Sequence, residues 1–278
     1  MSKDLHCHSN VSDGIYRPSQ LAHMVYEHGA DTWSLTDHDE IMGLAEARQA
    51  SESLGLTFIN GVEISCLFMD KTVHIVGLGF DDQHEGLKQF LRSIQEDRIR
   101  RAKLMAEKLE DLIHIPHIYQ GALQYCQREL QIGRVHFARY LTDKGCVEHI
   151  NEAFDRYLAD GKPAYVPGKW ASIQEAVSYL KQAGGVAVIA HPGRYALTKM
   201  EFYALCLTFK KSGGQGIEVV TGSHRKELYR TYAEIANEWG FYASCGSDYH
   251  GIKPYEMMIG KVPALPSHVT PIWKLWCE

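Results

Sequence analysis

Asp4-Leu5-His6-Cys7-His8-Ser9-Asn10-Val11-Ser12-Asp13-Gly14 is the stretch on which the reading of this chain turns. Residues 4–8 read as a short strand, and 9–14 as the loop that leaves it. Strand side chains alternate between faces, so His6 and His8 share one face while Leu5 and Cys7 take the other. Two imidazoles so placed can grip one metal ion. Asp13 follows within reach of the same loop, and Gly14 supplies a turn. A carboxylate beside imidazoles suits Zn, Mn or Fe better than Ca or Mg. A lone His-x-His is commonly incidental, so its meaning depends on what the later strands carry.

Working outward, apolar runs of strand length alternate with helical patterns. Strands are expected over 32–36, over 56–59 and 62–66 around Asn60-Gly61, and over 72–78, 163–167, 186–190, 216–220 and 241–245. Helices are expected near 18–28, 41–54, 86–111, 122–130, 135–144, 150–158, 172–183, 200–211 and 225–239. Ser172 with Glu175 three residues later has the form of a capping box. About seven strands alternating with helices favour α/β architecture, with a parallel sheet closed into an irregular barrel. An open doubly wound sheet is the alternative. The stretch between the fourth and fifth of these βα regions is helical and dense in charge of both signs. The expected division is therefore 1–97 as the first part of the barrel, 98–163 as a helical insertion acting as a substrate lid, and 164–278 as the second part.

Composition narrows the function classes. The chain has 278 residues, 45% of them hydrophobic, as expected of a globular fold with a core. No apolar run approaches membrane-span length, and the N-terminus lacks the pattern of a signal peptide. Seven cysteines lie at 7, 66, 126, 146, 206, 245 and 277 without a Cys-x-x-Cys, which suits reduced thiols and a cytoplasmic location. A net charge of −5 argues against broad binding to long nucleic acid. No DNA-binding module, membrane association or obligate protein partner is expected.

Fifteen histidines are many for this length. In a barrel, functional groups gather at the C-terminal ends of the strands. Here the strand regions carry His6, His8, Asp13, His38, Glu63, His74, His191, Asp248 and His250. Each alone has a plain explanation: a capping residue, a solvated edge charge, a satisfied core histidine. Together they would form a polar cluster on apolar strands that nothing neutralises. Metal ions supply the compensation. Nine donors exceed one ion's capacity, so two or three divalent ions are expected, Mn first, with Zn or Fe as alternatives.

At this point the sequence resembles the polymerase and histidinol phosphatase (PHP) metallo-phosphoesterases. The resemblance rests on Asp4–Ser9 with Ser12-Asp13-Gly14, Thr36-Asp37-His38-Asp39, Gly61-Val62-Glu63-Ile64-Ser65, His191-Pro192-Gly193-Arg194 and Gly246-Ser247-Asp248-Tyr249-His250. Gly133-Arg134-Val135-His136-Phe137-Ala138-Arg139 is similar to the branch that hydrolyses 3′,5′-nucleoside bisphosphates, relatives of which trim short RNA 5′→3′. Val135 stands where many relatives have proline.

The resemblance implies a distorted (β/α)7 barrel holding three metals. His6, His8, Glu63 and Asp248 would hold one ion; Glu63, His74 and His191 a second; Asp13, His38 and His250 a third. Asp13, Glu63 and Asp248 would also be the catalytic carboxylates, and Asp37 would orient a ligand imidazole. Arg134, His136 and Arg194 would bind substrate phosphate. The expected substrates are a small nucleotide or short 5′-phosphorylated RNA. The 5′-phosphate would be held while a metal-bridging hydroxide attacks the 3′-phosphoryl group in line. Arg98-Ile99-Arg100-Arg101-Ala102-Lys103 reads as a solvated helix face, and Tyr165, His224 and Lys162 as weaker pocket residues. A histidinol-phosphatase-like or other small-molecule phosphatase is the alternative. Less favoured are an amidohydrolase, whose bridging strand-end Lys is not evident, and a non-catalytic metal-binding module.

Overall fold

A computed structural model describes residues 2–126, 128–251 and 257–276. Its strands are β1 (Ser2–Asp4), β2 (Ala30–Leu35), β3 (Thr57–Phe68), β4 (Lys71–Leu78), β5 (Ala171–Ser172), β6 (Val186–Ile189), β7 (Gly216–Thr221) and β8 (Tyr242–Gly246). They form one sheet in the order β1-β2-β3-β4-β6-β7-β8, with β5 paired to β3. Beyond β1 the chain stays extended and lies beside the end of β8. Leu5 N–H donates to the Cys245 carbonyl (3.0 Å), Asp248 N–H to that of His6 (2.8 Å), and His8 N–H to that of Tyr249 (2.9 Å). These bonds bring the first and last strands together, and the sheet is a nearly closed, distorted α/β barrel.

The barrel is not wholly parallel. β4 runs antiparallel to both β3 and β6. The cause is local: β3 and β4 are joined through Met69 and Asp70, both at positive φ (47° and 60°). A two-residue turn with both φ positive makes a hairpin, whereas a parallel neighbour needs a long crossover. Residues 57–68 form one strand, not two segments around a turn at Asn60-Gly61. Gly61 serves close approach: a Cβ there would lie 2.1 Å from Ser34 Oγ and 2.6 Å from the Leu35 carbonyl.

Strand alternation explains where the polar residues point. Val62, Ile64, Cys66, Val73, Ile75, Ile217 and Val219 belong to the core shared with the helices. Glu63, His74 and Glu218 fall between them and so take the barrel's inner face. Val76, Leu78, Val186 and Val188 fill that side lower down, together with Ile272 of the tail.

The helices are α1 (Pro18–Glu27), α2 (Leu44–Leu54), α3 (Glu85–Ile113), α4 (Ile118–Leu123), α5 (Arg134–Asp143), α6 (Ile150–Ala153), α7 (Ile173–Gln182), α8 (Lys199–Ser212) and α9 (Lys226–Trp239). Ser172 and Glu175 cap α7 reciprocally, and Thr198 and Glu201 do the same for α8. Helix α2 starts later than position 41 because the Glu40 carboxylate takes the N–H groups of Ile41 (2.8 Å) and Met42 (3.1 Å). Residues 163–167 are not a strand: the Tyr165 and Val166 carbonyls accept from Lys108 Nζ (2.9 Å) and Arg101 Nε (2.6 Å). The bonds of a ladder are thus given to α3 side chains. The helix expected over 122–130 is also absent, since α4 ends at Leu123 and only a short turn at Glu129–Gln131 follows.

Helix α3 crosses the position where the sequence suggests a boundary. Leu87, Leu91 and Ile94 pack into the barrel core, whereas Ala102, Met105 and Leu109 join a separate core with Ile118, Phe137, Leu141 and Leu158. A single rod of 29 residues therefore ties the two cores together.

Candidate metal centre

Six imidazoles and three carboxylates meet at the rim where β1, β6 and β8 end. His6 and His8 are fully buried, their Nε2 atoms 3.2 Å apart. His8 Nε2 lies 3.3 Å from Glu63 Oε2 and 3.5 Å from Asp248 Oδ1. Glu63 Oε1 also faces His191 Nε2 (2.7 Å) and His74 Nδ1 (2.9 Å). Asp13 lies 3.4 Å from His250 Nε2 and 3.8 Å from His38 Nε2. His38 Nδ1 is in addition 2.9 Å from Glu63 Oε2, and His8 Nδ1 is 3.8 Å from Asp13 Oδ1, so the sets overlap through Glu63 and His8. His74 comes from inside an antiparallel strand and His38 from the loop after β2. All nine donors named from the sequence lie in this one cluster.

Backbone geometry aims two of them. His191 and Asp248 have φ of 23° and 53°, a left-handed conformation that turns each side chain over the barrel mouth. Such outliers persist only where surrounding contacts enforce them. At His191 the enforcing group is Glu218. Its Oε2 accepts the His191 N–H at 2.5 Å, and its Oε1 lies 2.8 Å from His6 Nδ1. A proton on His6 Nδ1 leaves the Nε2 lone pair directed at the cluster, the arrangement in which a carboxylate orients a metal-binding imidazole. His250 Nδ1 is similarly bonded to the Asp248 carbonyl at 2.8 Å. Tyr195 fixes β4 against β6, its hydroxyl donating to the Ala190 carbonyl (2.8 Å) and accepting the His74 N–H (2.8 Å).

The electrostatics suit cations. Burial acts to raise the carboxyls of Glu63 and Asp248, but their imidazole neighbours hold both well below the usual carboxylate range. Asp13 is lowered in the same way, chiefly by His250 and His38. Burial acts to lower His8, yet Asp248 and Glu63 raise it to about 10. His74 and His250 are driven the other way by burial, to about 4. Several buried atoms have no hydrogen-bond partner among the described residues: His8 Nδ1, His38 Nδ1, Glu63 Oε2, His191 Nδ1 and Asp248 Oδ1. Buried polar atoms are rarely left so. Most of these face the cluster, and converging lone pairs without donors between them fit metal ions.

Asp37 acts on the loop, not on an imidazole. Its carboxylate accepts from Ser9 N–H (2.8 Å), Ser9 Oγ (2.6 Å) and Ser12 Oγ (2.6 Å), pinning the turn that carries Asp13. Asp39 receives Ser65 N–H (2.7 Å) and Arg98, joining β3 to α3.

Two clefts open from the cluster. The first, of about 160 Å³, is lined by Asp13, His38, His74 and His250 together with Arg98, Arg101, Arg134 and Arg194. The second, of about 280 Å³, shares Thr72, His74, Arg134 and Arg194 with it. Arg194 also contacts Asp248 Oδ2 at 3.2 Å. Arg98 and Arg101 overturn the solvated-face reading of their helix segment: Arg101 is buried, and both guanidiniums lie over the Trp170 ring at 5.0 and 5.3 Å. His136 is also placed otherwise than expected. It is buried and lines neither cleft, its Nδ1 accepting the Gly133 N–H (3.0 Å). Of the weaker candidates, Tyr165 lines the second cleft, His224 accepts the Gly193 N–H (2.9 Å), and Lys162 lies in neither cleft.

The barrel and its histidine-carboxylate rim define a metal-dependent hydrolase class of fold. Residues 4–185 match the PHP domain, and the chain belongs to the PHP family. It is 42% identical over 271 residues to a 3′,5′-nucleoside bisphosphate phosphatase of Chromobacterium violaceum, covering 98% of this chain and 95% of that protein. It is 39% identical over 271 residues to a 5′-3′ exoribonuclease of Haemophilus influenzae, covering 98% and 97%. Among solved structures, one from Chromobacterium violaceum described as an amidohydrolase with bound sulfate and no metal superimposes with a TM-score of 0.93 at 42% identity, covering 99% and 95%.

Proposed function

We propose that this chain removes the 3′-phosphate of 3′,5′-nucleoside bisphosphates and trims short 5′-phosphorylated RNA from its 5′ end. The observation that carries the reading is the first cleft, where four guanidiniums face a cluster of nine metal-type donors. Guanidinium forks match phosphate oxygens, so one phosphate is held by arginine and another presented to the cluster. The amide-hydrolase alternative accounts for the donor cluster but not for the four arginines.

His6, His8, Glu63 and Asp248 would hold one divalent ion, Glu63, His74 and His191 a second, and Asp13, His38 and His250 a third, with Mn the first candidate. When bound, such ions supply Lewis acidity and lower the pKa of coordinated water. The chain's own groups do the rest. Arg134 and Arg194 fix the 5′-phosphate, and Arg98 and Arg101 add positive charge along the same wall. Trp170 and Phe154 close the apolar side around the nucleoside. This positioning places the 3′-phosphoryl group at the cluster in one orientation, which is where orientation lowers the barrier. The buried unpaired thiols of Cys7, Cys66, Cys206 and Cys245 suit a reducing compartment, so the reading includes a cytoplasmic location. Cys277 lies outside the described residues.

The test is hydrolysis of 3′-phosphoadenosine 5′-phosphate and of 3′-AMP, with chelator and with Mn restored, alongside elemental analysis. The bisphosphate should be strongly preferred, activity should vanish with chelator, and more than one metal equivalent should be found per chain. Equal kcat/KM on the two nucleotides would remove the 5′-phosphate pocket from the account. A metal-free chain active in excess chelator would end the metal reading.

A further inference from the structure

Resting on the function just proposed, we infer that the second cleft binds the RNA chain beyond the phosphodiester under attack. A bisphosphate occupies one cleft only. The arginine-rich cleft serves its 5′-phosphate and nucleoside, and the cluster serves its 3′-phosphate. The second cleft shares Arg134 and Arg194 with the first, and the rest of its lining beyond the cluster is not needed by a bisphosphate. Yet it is lined by His74 and His191 of the cluster and also by Lys71, Asp160 and Ala196. Its volume of about 280 Å³ is near the lower end of those that hold small ligands, roughly 300 Å³.

The chemistry requires such a path. In both reactions a water oxygen joins phosphorus, the P–O3′ bond of the held nucleotide breaks, and O3′ takes up a water proton. In a bisphosphate the other phosphoryl oxygens are bare and inorganic phosphate leaves. In RNA one of them is O5′ of the next nucleotide. That oxygen is neither nucleophile nor leaving group, so it sits equatorially. The next nucleotide must therefore run sideways from the attack axis. The second cleft leads that way from the same imidazoles.

Its walls suit a short anionic chain. Lys71 is one of the lining residues, its ammonium bonded to the Ala196 carbonyl (2.6 Å) and Glu201 (3.1 Å). Tyr165 and Tyr195 offer rings to a sugar or base. Exposed Asp160 in the same lining disfavours a long polyanion. The product keeps a 5′-phosphate on the shortened chain, which is the group the arginine cleft needs for another turnover.

The experiment uses Ala196→Trp, which adds bulk to the lining, and Lys71→Ala, which removes its positive charge. Both are compared with the unmodified protein on 3′-phosphoadenosine 5′-phosphate and on 5′-phosphorylated triadenylate. A second readout is the anisotropy of a 3′-fluorescent 5′-phosphorylated triadenylate titrated with chelator-treated protein. Both variants should lose about tenfold or more in kcat/KM on the triadenylate, with a matching loss in binding. On the bisphosphate they should stay within twofold of the parent. Equal losses on both substrates, or no loss on either, overturn the inference. If the parent leaves the bisphosphate intact, the proposed function fails, and this inference falls with it.

Discussion

Glu218 shows how much a single buried residue decides. It contacts no open space, yet one carboxylate orients the His6 ring and holds His191 in its left-handed turn. Glu218→Gln keeps the shape but loses the charge and one acceptor. It should weaken metal binding about 10- to 100-fold, as loss of such a partner commonly does, read by titrating metal into the chelator-treated protein. Unchanged affinity would mean that packing alone fixes His6. Arg134→Ala tests the other wall. It should lower kcat/KM on 3′-phosphoadenosine 5′-phosphate by about 10²-fold, the effect of roughly 3 kcal/mol of charge-assisted bonding, and leave an aryl phosphate nearly untouched. At this scale the nine donors were legible because each is a polar residue on or beside an apolar strand. Glu218 carries the same signal between Ile217 and Val219, but its spacing resembles no ligand motif. Arg98 and Arg101 were not legible, since sequence shows their acidic neighbours and not Trp170, which reaches them from about seventy positions away in the chain.

At the scale of elements, α5 brings two side chains to the metal-type loop. His136 lies near enough to Asp13 to act on its charge, and Arg139 Nη2 donates to the Asp13 carbonyl at 2.7 Å. Helix α3 makes a parallel tie through Gln95, which donates to the Asp39 carbonyl at 2.7 Å, and through Arg98 to the Asp39 carboxylate. We therefore propose that the helical segment serves as more than a cover for substrate, and that its removal would loosen Asp13 as well as delete Arg134. His136→Ala should lower affinity for the ion assigned to Asp13, His38 and His250 by about tenfold, with the other ions retained, an effect of the size found for outer-shell partners. The measurement is the metal-to-protein ratio after dialysis against graded free Mn. An unaltered ratio would return His136 to simple packing. The elements themselves were read well where periodicity and caps agree, as in α7 with Ser172 and Glu175. They were misread where tertiary partners take the backbone bonds, as at Tyr165 and Val166. The direction of β4 was hidden because Met69-Asp70 lacks the Asn-Gly or Asp-Gly signature of such turns.

For the whole molecule, the question is whether the barrel stands without metal. Its interior below the cluster is apolar, with Leu5, Val76, Leu78, Val188 and Ile272 buried. A second apolar shell joins the strands to the helices through residues such as Trp33, Ile64, Phe209 and Ile217. A chain of this size has core enough to fold on that basis. The rim is the opposing term. Its ionised carboxylates and unpartnered imidazole nitrogens are buried together, and unmatched buried polar atoms cost on the order of 1–3 kcal/mol each. Metal ions would bind the folded chain and not the unfolded one, so they should raise stability by mass action. One ion at about a hundredfold its Kd adds roughly 2.7 kcal/mol, or about 5–10 °C in Tm for a chain of this length. Chelator-treated protein should thus keep its far-UV circular dichroism and unfold cooperatively, and Mn should raise its Tm by at least that amount. Asp248→Ala, which removes the partner of the buried His8 and of Arg194, should lower the metal-free Tm and respond less to Mn. A parent chain that loses its secondary structure in chelator would show that the metals, and not the apolar layers, hold the barrel closed.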